Sequence, residues 1–96
     1  MADFRLQIVT QQQTVFDEKI TALTLPGAEG YFGILANHAP IVAVLNEGQV
    51  TIRRGTREEF VKITGGFVEM SKNEATLLVE EMEGLESLTG AQVDAE

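Results

Sequence analysis

Apolar and polar side chains alternate along most of this chain, and a period of two predicts strands. Phe4, Leu6 and Ile8 fall on one side of the first segment, with Arg5, Gln7 and Val9 on the other. Gln11 to Gln13 interrupts the pattern and predicts a turn, after which Thr14-Val15-Phe16 resumes an extended course. Ile20 to Leu25 is β-branched, and Pro26-Gly27 is the turn signal expected to end it. Ile41 to Leu45 is a short apolar run. Periodicity alone fits a buried strand or a helix fragment, and brevity and β-branching favour the strand. Asn46-Glu47-Gly48 then turns the chain.

Val50 and Ile52 alternate with Thr51 and Arg53, Gly55 marks a hairpin, and Val61 and Ile63 return inward. Gly65-Gly66 is predicted to be a two-residue primed turn into Phe67 to Met70. Lys72-Asn73 is a second tight turn, and Ala75, Leu77 and Val79 share the next face. The spacing gives about seven to ten short strands, the signature of an all-β sandwich or barrel. No fixed-period repeat suggests a solenoid. After Glu80-Glu81-Met82-Glu83 the character changes. Leu85, Leu88 and Val93 form a weak helical face that Gly84 and Gly90 limit to a turn or two. The expected organisation is one domain over residues 1–83 and a tail over 84–96, frayed or ordered only by docking.

At 96 residues the chain suits one domain with one core. Its net charge of −8 disfavours general nucleic-acid binding and adsorption to an anionic membrane, and suits solubility or a partner with a basic surface. It contains no cysteine, so disulfides, thiolate metal sites and a cysteine nucleophile are excluded. No apolar run is long enough to span a bilayer, and the N-terminus lacks the basic-then-apolar pattern of a secretory signal.

The stretch from Pro26 to Pro40 organises the rest. It holds both prolines and three of the nine glycines, interleaved with Tyr31, Phe32, Ile34 and Leu35. It reads as a shaped connection, partly packed and partly presented, with Tyr31 or Phe32 as the anchor for a partner. Gly27, Gly30 and Gly33 are not a phosphate loop, because Ile34 and Leu35 stand where a lysine and a hydroxyl are needed. His38 is the only histidine, so no histidine metal cluster forms, and neither Ser71 nor Ser87 has an elbow-like glycine setting. His38 reads instead as a turn residue bonded to backbone or as an interface contact. Glu58-Glu59 and Glu80-Glu81 are neighbours on opposite strand faces and read as solvated charges, with Arg53, Arg54 and Arg57 pairing nearby acids. A binding module is therefore favoured over an enzyme. The alternatives are a free-standing β-sandwich that binds a ligand or peptide near Tyr31 and Phe32, and a small hydrolase built on His38.

Phe4-Arg5-Leu6-Gln7-Ile8-Val9-Thr10, Pro26-Gly27-Ala28-Glu29-Gly30-Tyr31-Phe32-Gly33-Ile34-Leu35, His38-Ala39-Pro40, Gly48-Gln49-Val50 and Gly65-Gly66-Phe67-Val68-Glu69 together resemble the N-terminal domain of the epsilon subunit of F-type ATP synthases, called delta in mitochondria. The likeness covers roughly residues 4–83, with Ala36 where the family often has proline. It implies a flattened sandwich of two five-stranded sheets and a non-catalytic rotor role in the central stalk, coupling proton-driven rotation to ATP synthesis. It implies the gamma subunit and the c-ring as partners. Glu29, Gly30, Tyr31 and Phe32 map to the ring contact, and His38, Ala39, Pro40 and Ile41 to the gamma contact. It implies no cofactor, no metal, no lipid insertion, and a monomer within a hetero-oligomeric complex. That complex would sit on the cytoplasmic face of a bacterial inner membrane, or on the stromal or matrix face in an organelle. Family members usually continue into a two-helix domain. The tail here stands in its place, so inhibition by those helices and nucleotide sensing are not expected.

Overall fold

A computed structural model describes residues 2–84. It contains ten strands: β1 (Phe4–Val9), β2 (Thr14–Ile20), β3 (Ala22–Gly27), β4 (Gly30–Leu35), β5 (Ile41–Leu45), β6 (Gly48–Arg54), β7 (Arg57–Ile63), β8 (Gly66–Ser71), β9 (Glu74–Val79) and β10 (Met82–Glu83). Pairing runs β10-β7-β6-β3-β5-β8-β9-β1-β2, with β4 on the other side of β3. The link from β3 to β5 is a single bridge, Gly27 opposite Leu45. Packing therefore divides the strands into two five-stranded layers, β10-β7-β6-β3-β4 and β5-β8-β9-β1-β2. The body is flattened, measuring 37 × 30 × 22 Å. Its fold is the β-sandwich expected from the strand spacing.

The predicted inward positions build the core. Phe4, Leu6, Ile8, Val68, Met70, Ala75 and Leu77 come from one layer; Leu23, Leu25, Ile34, Val50, Ile52, Val61 and Ile63 come from the other. Burying such side chains supplies roughly 25 cal/mol per Å² of apolar surface removed from water, which is the main force joining the layers.

Three local expectations change. First, β3 runs through Pro26-Gly27, and the turn falls at Ala28-Glu29; the segment from Ile20 to Leu25 is instead broken at Thr21. Proline is tolerated because pairing with β6 ends at Thr24, so no ladder donor is required at Pro26. Second, Gly65-Gly66 joins β7 to β8, which lie in different layers and do not pair; it is a crossover rather than a hairpin. Both glycines have φ near +150° (151° and 150°), not the left-handed helical value of a primed turn. A Cβ at Gly66 would lie 2.0 Å from the Leu78 carbonyl oxygen, so only glycine lets the crossing strand pass β9.

Third, Glu59 is not a solvated charge. It is 8% exposed. Its carboxylate accepts hydrogen bonds from Arg54 at 2.6 Å and Arg57 at 3.1 Å. Arg54 also pairs with Glu18 of β2 and lies 5.7 Å from the centre of the Phe16 ring, so it joins the two layers. The acidic neighbour Glu58 does face outward, paired with Arg53. Of the tail expected over 84–96, residues 85–96 lie outside the described residues, Leu85, Ser87, Leu88 and Val93 among them.

Candidate functional site

The Pro26–Pro40 stretch is a hairpin followed by a crossing turn. β3 and β4 pair from Ala22 opposite Leu35 to Gly27 opposite Gly30, leaving Ala28-Glu29 at the tip. Alternation separates the two aromatics. Tyr31 is 61% exposed on the outer face, whereas Phe32 points inward, half-buried against the core. A Cβ on Gly27 would lie 2.8 Å from the Phe32 ring, so the hairpin closes tightly over it. Of the four residues expected to meet a ring, Glu29, Gly30 and Tyr31 are exposed and Phe32 supports them from below.

Tyr31 is exposed but held. Its hydroxyl accepts a hydrogen bond from the Gln49 N–H at 3.1 Å. A Cβ on Gly48 would lie 2.7 Å from Pro26 Cβ and 2.8 Å from the Tyr31 hydroxyl. Glycine at 48 thus leaves the space that lets the ring reach the β6 backbone. A ring fixed before binding loses less entropy when a partner covers it. The sequence showed Gly48 as a turn residue only, and the Gly48–Tyr31 contact spans strands far apart in the chain.

His38, Ala39, Pro40 and Ile41 lie beyond the opposite end of β4. His38 N–H donates to the Leu35 carbonyl at 3.1 Å. The ring Nδ1 donates to the Ala39 carbonyl at 2.7 Å, the backbone bond expected of a turn histidine. Asn37 N–H donates to Asn73 Oδ1 at 2.7 Å, and Asn73 Nδ2 donates to the Asp3 carbonyl at 3.0 Å. Asn73 therefore ties this turn to the β8–β9 turn and the N-terminal segment, a role that local sequence does not reveal. Ala39 and Pro40 are exposed; His38 and Ile41 are half-buried. A six-residue strand spans about 17–20 Å. His38, Ala39 and Pro40 are set apart from the hairpin tip by that length, whereas Ile41 lines a groove together with Glu29, Gly30, Tyr31 and Phe32.

A further surface escaped the pattern. Val44 is opposite Phe67, Phe67 opposite Leu78, and Leu78 opposite Val9. These side chains make an apolar row across the outside of β5, β8, β9 and β1. Val42, Val44 and Phe67 are 69%, 65% and 43% exposed. The apolar run of β5 suggested a strand buried on both faces, whereas only Ile41, Ala43 and Leu45 turn inward.

The concavities are surface grooves. One of about 440 Å³ is lined by the hairpin tip, Tyr31, Phe32, Ile41, Ala43 and Val44. Another of about 420 Å³ lies between Glu47–Gln49, Lys62–Thr64 and Glu81–Glu83. Among the described residues, no three acidic or histidine side chains are grouped to hold a metal ion. The arrangement offers apolar and aromatic contact area on a stiff frame, which is the chemistry of protein docking.

The sequence pattern of the family described as ATP synthase, Delta/Epsilon chain, beta-sandwich domain matches residues 3–84. The chain is 41% identical over 91 residues to the ATP synthase epsilon chain of Pelotomaculum thermopropionicum, covering 95% of this chain and 68% of that one. It is 36% identical over 86 residues to the ATP synthase epsilon chain of Protochlamydia amoebophila, covering 88% and 58%. Its fold is similar to a chain of the Euglena gracilis mitochondrial ATP synthase OSCP/F1/c-ring assembly, with a TM-score of 0.82, 25% identity, and coverage of 99% and 64%. It shares its fold with a chain of the Tetrahymena thermophila mitochondrial ATP synthase central stalk and c-ring, with a TM-score of 0.72 at 16% identity. The chain thus spans about three-fifths to two-thirds of the length of these relatives.

Proposed function

The chain belongs to the ATP synthase delta/epsilon family, and on that premise we propose that it is a non-catalytic rotor subunit of an F-type ATP synthase, docked between the gamma subunit and the c-ring. The observation that carries this reading is an exposed, braced hairpin tip at one end of β4 and an exposed turn at its other end, on one stiff sandwich. Glu29, Gly30 and Tyr31, braced by Phe32, meet the polar loops of the ring. His38, Ala39, Pro40 and Ile41, with the exposed Val42 and Phe67 of the neighbouring strands, meet gamma. Torque passes between the two surfaces because a packed two-layer core deforms little. The net charge of −8 suits a basic ring loop. The protein reaches the membrane through its partners, as a peripheral component.

Co-purification with gamma and with the c-ring tests the two surfaces separately. Tyr31→Asp is expected to weaken ring attachment while leaving gamma association and the melting temperature unchanged. Val42→Asp is expected to weaken gamma association instead. Unchanged ring attachment in Tyr31→Asp, or a parallel loss of fold and binding, refutes the assignment. The open grooves, in place of an enclosed cavity, give little support to a free-standing ligand-binding module.

A further inference from the structure

Among the described residues, strand β4 is paired on one side only, to β3. The direction of its free main-chain groups follows from two hydrogen bonds at the end of β3. The Pro26 carbonyl accepts from Asn46 N–H at 2.8 Å, and Ala28 N–H donates to the Val44 carbonyl at 3.1 Å. Pro26 therefore turns its polar groups toward β5. By alternation, Leu23 and Leu25 turn theirs toward β4 and exchange bonds with Ile34 and Phe32. Tyr31, Gly33 and Leu35 then direct N–H and C=O away from the sheet. The Leu35 carbonyl confirms this direction, since it accepts from His38 across the following turn.

This edge lacks the usual protection. Exposed edge strands are normally blunted by charge, proline or a bulge. Gly30-Tyr31-Phe32-Gly33-Ile34-Leu35 has no charge and no proline, and its pairing to β3 is regular throughout. Tyr31 and Leu35 are 61% and 62% exposed, and Gly33 between them is open. The edge is also self-complementary. With two copies antiparallel about Gly33, Gly33 meets Gly33, Tyr31 meets Leu35 in both directions, and Glu29 falls opposite Asn37 rather than another acid.

We propose that the free subunit caps this edge with a second copy of itself, β4 against β4 about a two-fold axis at Gly33. The pairing gives partners to the outward groups of Tyr31 and Gly33 and to the Leu35 N–H, and covers Leu35, while the Tyr31 ring stays on the β6 backbone. One six-residue edge on each side buries less than the roughly 1,200 Å² of a standard interface, so the dimer is transient, with Kd between about 10 μM and 1 mM. The dimer does not depend on the proposed rotor role. If that role also holds, Tyr31 belongs to both surfaces, and self-pairing and ring docking exclude one another.

Sedimentation equilibrium of the chain from about 5 μM to 2 mM tests this, alongside amide exchange at Tyr31, Gly33 and Leu35. A Cβ at Gly33 meets nothing closer than the Leu23 carbonyl at 3.7 Å, so Gly33→Pro removes one outward N–H without crowding the sheet. Leu35→Lys supplies the missing charge. The expected result is a concentration-dependent dimer, slowed exchange at the three amides, and at least a tenfold weaker Kd in either variant at an unchanged melting temperature. Should Gly33→Pro fail to fold, Leu35→Lys and the exchange data decide. A monomer at every concentration overturns the proposal, as does a dimer indifferent to both substitutions. A monomer whose Gly33→Pro variant fails to associate with gamma or the ring overturns it too, and assigns the edge to that partner.

Discussion

Replacing Arg54 by methionine probes how the two layers are held at one end. Arg54 is 16% exposed and Glu59 is 8% exposed, so both charges lie largely out of water. Arg54 reaches Glu59 on the adjacent strand, Glu18 on the opposite layer and the face of Phe16. Removing one partner of a fully buried ion pair costs about 3–5 kcal/mol, because the remaining charge is left desolvated. Glu59 keeps Arg57, itself 57% exposed, so the expected loss is reduced to about 2–4 kcal/mol. For a domain of this size that corresponds to roughly 10–25 °C in Tm. The double variant Arg54→Met/Glu59→Leu should recover most of the loss. It replaces ionic groups by apolar ones of similar volume, an exchange that is often neutral or stabilising. The native pair is also imperfect, since the buried Arg54 Nε has no hydrogen-bond partner. Urea denaturation followed by circular dichroism measures both, with an unchanged m-value as the check on two-state behaviour. A single-variant loss below about 1 kcal/mol, or a double variant no more stable than the single, refutes the reasoning.

Leu6→Ala and Ile63→Ala each remove a wholly buried side chain and should cost about 2–5 kcal/mol in the same denaturation experiment. Gly66→Ala should cost at least about 3 kcal/mol or abolish folding, because its Cβ would overlap the Leu78 carbonyl at a φ of +150°; a native-like Tm contradicts this. Asp17 accepts two hydrogen bonds from Arg5, both at 2.8 Å, which hold its carboxyl below the ordinary carboxylate value. A depressed folded-state pKa contributes stability that is complete above the unfolded value of about 3.9 and is lost as pH falls through the folded value. Titration of the Asp17 carboxyl by NMR should show its pKa rising in Arg5→Ala. The effect should shrink in salt because the pair is exposed, and a pKa identical in both proteins removes the prediction.

The strands, most of their turns and the faces they bury are legible in the local pattern of residues. Side-chain period, β-branching and turn chemistry act over a few neighbouring residues, so Leu6, Val50, Ile63 and Leu77 could be placed inside without coordinates. The same pattern also identified the hairpin region, because the combination of Tyr31, Phe32, two prolines and three glycines is local. How the strands pair is settled by long-range packing. Gly65-Gly66 carries the composition of a hairpin turn, yet the choice between turning back and crossing to the other layer depends on which strands bury β7 and β8. The same holds for side chains whose state depends on distant residues. Glu59 is buried because Arg54 and Arg57 meet it, Tyr31 is fixed because Gly48 makes room, and Asn73 orders a turn 36 residues away. The open edge of β4 belongs to this class too. A strand's own residues set its hydrogen-bonding capacity, but whether that capacity is used depends on whether another strand arrives beside it.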